Sequence, residues 1–285
     1  MKHFIHTLEN GATVDALLQD KHQETAYLNV DRPAVIICPG GGYQYCSARE
    51  ADPVALKFAA AGFHTFVLRY SVGDAVPFPT SLIDLARTIK WVRDNAAEFG
   101  VIKHNIAVCG FSAGGHLAAS LGVHYRNETL LATVGATPDE LRPNLLILGY
   151  PVISTSWMEN AGRYGILAPN EQDETLYQML NLHTCVTADT PPSFIFHGVA
   201  DAGVPVRDSL LFASALEAQN VPFELHLYSH APHGFSVADD TCYARGEGNT
   251  ATASWVGLCI AWLERNFYQG ELGRPVNKAT YSSKL

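Results

Sequence analysis

Gly110-Phe111-Ser112-Ala113-Gly114-Gly115 is the stretch from which the rest of the chain is best read. The short apolar run Ile106-Ala107-Val108-Cys109 precedes it, and His116-Leu117-Ala118-Ala119-Ser120-Leu121, which has helical character, follows it. The expected order is strand, sharp turn, helix. In that setting Gly-x-Ser-x-Gly is a nucleophile elbow: glycines flank a serine with a strained backbone, so its hydroxyl stands clear of the strand end. N–H groups at the start of the helix would then lie near any negative charge developing on a reacting oxygen. A glycine-rich turn without chemistry carries the same letters, but the flanking strand and helix favour the catalytic reading.

Working outward, Ala34-Val35-Ile36-Ile37-Cys38 is a continuous apolar run of the kind a strand buried on both faces shows. It ends in Pro39-Gly40-Gly41-Gly42-Tyr43, where successive glycines let backbone N–H groups approach a ligand. Ser47-Ala48-Arg49-Glu50 has capping-box form and predicts a helix to about Ala61, stopped by Gly62. Further strands are expected at Phe63 to Arg69, Leu145 to Tyr150, Phe194 to His197 and Phe223 to Tyr228, with weaker peripheral ones in residues 1–30. Helices are expected at Leu82 to Phe99, Arg207 to Gln219 and Ala251 to Asn266. Strands alternating with helices specify a mostly parallel central sheet covered on both faces, an α/β fold in a single domain over 1–285. The stretch from about 154 to 192 breaks the rhythm, is richer in polar and aromatic residues such as Trp157, Tyr164 and Tyr177, and is expected to be a small cap insertion. The polar tail from Gly270 to Leu285 is expected to be loosely held unless it packs on a partner subunit, which leaves a homodimer open.

The chain has 285 residues, 47% hydrophobic and 16% charged, the balance of a compact domain with a large core. Its formal charge of -9 argues against nucleic acid or an anionic membrane as partner, because both require clustered Lys and Arg. The six cysteines show neither a CxxC pair nor metal-ligand spacing, so they read as reduced thiols. No run approaches the length of a membrane span, and the N-terminus has no long apolar segment, so a cytoplasmic enzyme is expected.

A serine needs a base, and the base needs an acid to fix its tautomer. In a fold of this type the acid follows the serine in the chain and the histidine comes last, both on loops after later strands. Asp201 follows the strand beginning at Phe194, with Asp208 and Asp189 as rivals for the acid. His233 follows the strand ending at Tyr228. His230 is its nearest rival among twelve histidines, and Gly234 favours His233 by leaving room for a loop tip. His116 reads as a hydrogen-bonded packing residue and His197 as a support for the acid loop. The oxyanion would be held by the N–H of Ala113 with those of Gly41 and Gly42. Tyr43 and Tyr45, with Trp157 and Tyr164 on the insertion, are candidate aromatic faces for a sugar ring, with ordinary packing as the alternative.

Together, Ile37-Cys38-Pro39-Gly40-Gly41-Gly42-Tyr43, Phe66-Val67-Leu68-Arg69-Tyr70, the elbow, His197-Gly198 with Asp201 and Val204-Pro205, and Pro232-His233-Gly234-Phe235 resemble the α/β-hydrolase superfamily. Within it they are most similar to the bacterial acetyl-esterase and lipase branch related to hormone-sensitive lipase, which includes acetylxylan and feruloyl esterases. The resemblance runs from about residue 30 to 267. It implies Ser112, Asp201 and His233 as the triad, Gly41, Gly42 and Ala113 as oxyanion donors, and no metal or organic cofactor. Pro39 departs from the branch's lipases, which usually carry His before the glycines. The expected activity is hydrolysis of a small-molecule ester with a short acyl group, such as acetyl on a sugar or xylo-oligosaccharide. The length leaves little room for a large lid, which disfavours long-chain lipids. An amide or formamide hydrolase of the same fold, or a non-catalytic ligand-binding member, are the alternatives.

Overall fold

The computed structural model describes residues 1–21, 30–73, 76–155, 174–244, 246 and 248–268. Among them eight strands form one sheet in the order β1-β2-β4-β3-β5-β6-β7-β8. The strands are β1 Lys2–Thr7, β2 Thr13–Leu18, β3 Arg32–Cys38, β4 His64–Arg69, β5 Val101–Phe111, β6 Leu145–Gly149, β7 Ser193–Gly198 and β8 Phe223–Tyr228. β1 and β2 pair antiparallel, as do β2 and β4. Every pairing from β4 through β3, β5, β6 and β7 to β8 is parallel. A parallel sheet needs cover on both faces, and the side chains of β3 show it. Ala34, Ile36 and Cys38 enter one core cluster, while Val35 and Ile37 enter the other.

On one face the helix Thr80–Asp94 buries Leu82, Leu85, Ala86, Ile89 and Val92, a stripe at helical spacing. On the other, the helix Trp255–Tyr268 buries Trp255, Cys259, Trp262 and Leu263. The expected helix from Leu82 to Phe99 is two pieces, Thr80–Asp94 and Ala96–Phe99, and Gly100 ends the second in a left-handed conformation. Similarly, Thr250–Ala253 and Trp255–Tyr268 together occupy the last predicted helix. No helix of the described residues is long and apolar enough to cross a membrane.

The capping-box expectation at Ser47 is corrected. Ala48–Glu50 is a single 3-10 turn, Ser47 makes no side-chain cap bond, and the helix is Asp52–Ala60 with Pro53 in its first turn. The reason lies in the sequence: a helix capped at Ser47 would carry Pro53 in its interior, where the ring removes a hydrogen bond and clashes with the preceding turn. Freed from capping, Glu50 is buried. Of the proposed cap, residues 156–173 lie outside the described set. The flanking residues include the helix Glu174–Leu180 and a short 3-10 turn at Leu182–Cys185.

Candidate active site

β5 ends at Phe111 and the helix Ala113–His124 starts immediately, so one residue, Ser112, makes the whole turn. Its φ of 52° and ψ of -118° belong to no ordinary region for a residue with a Cβ. The turn is this tight because its neighbours have no side chains. A Cβ on Gly110 would sit 2.0 Å from the carbonyl oxygen of Gly114, and one on Gly114 would sit 2.1 Å from that of Cys38. The strained serine is held by its amide, which donates to Gly149 O at 3.0 Å, and by its carbonyl, which accepts from Val152 and His116.

Two loops at the carboxyl ends of later strands reach the same place. After β7, Asp201 accepts the amides of Gly203 and Val204 on Oδ1, both at 2.8 Å. After β8, His233 places Nδ1 2.7 Å from Asp201 Oδ2 and Nε2 2.9 Å from Ser112 Oγ. A carboxylate accepts only, so Nδ1 carries the proton and Nε2 offers its lone pair to the serine hydroxyl. That tautomer is the one a general base requires. The Asp201 side chain is fully buried. Burial works to raise its pKa, but the hydrogen bonds from His197 and His233, the His233 charge and the Val204 amide outweigh it and hold the carboxyl well below the usual range.

The rival carboxylates are occupied elsewhere. Asp208 accepts the amides of Ile153 and Ser154 and the Ser154 hydroxyl, and so pins the chain leaving β6. Asp189 lies against Arg126. His197 is fully buried: Nε2 lies 3.2 Å from Asp201 Oδ2 and 3.0 Å from Val204 O, and Nδ1 2.7 Å from Ser209 Oγ, so it braces the acid loop. His116 sends Nε2 to Leu180 O at 3.2 Å and receives the Tyr43 hydroxyl on Nδ1 at 2.9 Å. Burial depresses its pKa to about 4, partly offset by the Leu180 carbonyl.

The glycine loop packs directly on the elbow, since a Cβ on Gly40 would lie 3.0 Å from Ser112 Cβ. Its peptide planes are fixed one after another. Gly40 O accepts Ser47 N–H at 2.9 Å, and Gly41 O accepts Gln44 N–H at 2.9 Å. Because each trans peptide sets N–H opposite C=O, the amides of Gly41 and Gly42 are turned away from those partners. Among the described residues, the amides of Gly41, Gly42 and Ala113 donate to no acceptor. Gly41 has φ +128° and Gly42 φ +62°, values open to glycine at little cost.

Tyr43 does not line an entrance. It is 7% exposed, because its ring packs against Tyr70 and its hydroxyl bonds His116 on the helix after the elbow. Tyr45 is 62% exposed. Trp157 and Tyr164 lie outside the described residues.

Two residues beside the site escaped the sequence reading. Glu50 Oε2 accepts the Gly40 amide at 2.8 Å and Oε1 the Tyr150 hydroxyl at 2.6 Å. Burial raises the Glu50 pKa, while Tyr150 and Gly40, followed by the charges of His233 and Arg49, pull it back. Pro53 was the available signal for Glu50. Tyr150 had none, since it reads as the last letter of an apolar strand.

The sheet order and the strand–turn–helix around Ser112 are those of an α/β-hydrolase. A family model described as BD-FAE matches residues 23–216, and the chain belongs to that family. It is 33% identical over 234 residues to endo-1,4-beta-xylanase B of Butyrivibrio fibrisolvens, a match covering 78% of this chain and 36% of that protein. The chain thus spans about a third of that relative's length, and 51% and 59% of the esterases LipQ and LipC of Mycobacterium tuberculosis. Among solved structures it is similar to the acetyl ester-xyloside bifunctional hydrolase of Caldicellulosiruptor lactoaceticus, with TM-score 0.75, 34% identity and coverage of 90% of this chain and 89% of that one.

Proposed function

We propose that the protein is a serine carboxylesterase that removes short acyl groups from small-molecule esters. The observation carrying the reading is the continuous relay Asp201 Oδ2–His233–Ser112 Oγ, with hydrogen bonds of 2.7 and 2.9 Å and the histidine tautomer they impose. Ser112 attacks the ester carbonyl while His233 Nε2 takes its proton, and a tetrahedral oxyanion forms. The free amides of Ala113, Gly41 and Gly42 receive that charge. His233 then protonates the departing alcohol, and water repeats the sequence on the acyl-enzyme. The chemistry draws on protein groups alone, with Asp201 orienting His233 and stabilising its charged form.

Acetyl on a sugar or xylo-oligosaccharide is the substrate class we favour, supported by relatives whose names include an acetyl ester-xyloside hydrolase. Tyr45 offers an exposed ring for such a sugar. Residues 154–192, entered from the Asp208-pinned chain at Ile153 and Ser154, are proposed as a small cap within one domain, and the enzyme as cytoplasmic. Ser112→Ala is expected to remove hydrolysis of p-nitrophenyl acetate to the level of buffer while its circular dichroism matches the parent. Parent-like turnover in that variant is incompatible with the proposal.

A further inference from the structure

Glu50 is 4% exposed, lies outside the relay, and has no part in the reaction steps above. Its two oxygens nevertheless face two different loops. Oε2 takes the amide of Gly40, which heads the glycine loop, and Oε1 takes the Tyr150 hydroxyl. The Tyr150 oxygen in turn accepts the Ser236 amide at 2.9 Å, three residues beyond His233. The Tyr150 ring lies against His233, with centroids 5.1 Å apart, and against Phe235, at 4.7 Å. Ser236 is itself fixed, its carbonyl accepting Trp255 Nε1 at 2.8 Å and its hydroxyl donating to Arg49 O at 2.5 Å. A buried line of hydrogen bonds therefore runs from the head of the glycine loop to the loop that carries His233.

The geometry points to Glu50 as a positioning residue that, through Tyr150, holds the Gly41–Gly42 amides and the His233 imidazole in one register. This inference rests on the esterase reading above. A carboxylate suits the task because one group accepts two donors from opposite directions. Glutamine accepts only one of them, and phenylalanine at 150 removes the bridge but keeps the ring. Buried donors left without acceptors drive local rearrangement, and a shift of about 1 Å at a reacting centre can cost roughly a hundredfold in rate.

The test compares Glu50→Gln, Tyr150→Phe and their double variant with the parent and Ser112→Ala, using p-nitrophenyl acetate and an alkyl boronic acid as transition-state analogue. Expected is a tenfold to roughly hundredfold fall in kcat with KM within about twofold. Boronic-acid affinity should fall in parallel, and the double variant should be little worse than the more damaged single. A purely structural role would lower Tm and leave kcat and boronic-acid affinity at parent values. That result, or a loss confined to KM, overturns the inference. Tyr150→Phe keeps the test decisive should Glu50→Gln not fold. Retained turnover in Ser112→Ala sinks the esterase reading itself, whereas parent-like kcat in both single variants beside an inactive Ser112→Ala sinks only the coupling.

Discussion

Ser112 adopts φ 52° and ψ -118°, a conformation costing about 1–3 kcal/mol for a residue with a Cβ. The bonds of its amide and carbonyl to β6 and the helix offset that cost and fix where the hydroxyl points. Serine, aspartate and histidine were legible in the chain because each follows a strand in a required order, and order survives in sequence. Glu50 was not, because Ser-x-x-Glu imitates a cap and only Pro53 speaks against it. Two other buried residues set a solution property. Burial lowers the pKa of both His116 and His64 to about 4. A histidine with a folded pKa below its unfolded value near 6.5 binds fewer protons folded than unfolded. The stability these two histidines contribute is therefore full above about pH 6.5 and is lost as pH falls toward 4. Asp201, depressed from an ordinary carboxylate value, loses its contribution only at still lower pH. From pH 7 to pH 5, His116 alone should remove about 2 kcal/mol, read as a lower urea midpoint. A flat midpoint across that range would show that His116 and His64 titrate normally in the folded protein.

Among the elements, β5 shows best what sequence conveys and what it hides. Its buried half, Ile106–Phe111, announces itself as an apolar run, but the strand starts at Val101 through the polar Lys103, His104 and Asn105. Those residues extend past the covered part of the sheet, where periodicity has nothing to report. The pairing with β3 also shifts between Arg32 and Ala34, an irregularity without a letter code. The elbow is the opposite case, because close packing admits so few residues that the glycines are readable. A Cβ at Gly114 would meet the carbonyl oxygens of Cys38 and Pro39 at 2.1 and 2.4 Å, both backbone atoms that cannot swing aside. Gly114→Ala is thus expected to push the end of β3 from the helix and destabilise the fold by about 3 kcal/mol, with turnover falling too. Urea unfolding with a parent-like midpoint would contradict the tight approach of helix to strand.

Across the whole molecule, the parallel order from β4 to β8 brings four chain segments, after β3, β5, β7 and β8, to one edge of the sheet. Residues 121 apart in the chain, Ser112 and His233, come within 2.9 Å there. The β/α alternation makes this convergence legible in the sequence, since a parallel sheet collects its carboxyl ends on one side. The inward turn of Tyr43 was not legible, because an aromatic after a glycine loop packs or projects according to neighbours that no local pattern names. On the proposed mechanism, this convergence activates Ser112 through His233. Adding a fluorophosphonate to the parent and to His233→Ala, and mapping the adduct by mass spectrometry, decides whether it does. The expected result is a single adduct on the peptide carrying Ser112 in the parent, and none over the same time in the variant. An adduct on another residue, or labelling of Ser112 at the same rate without the imidazole, would contradict it.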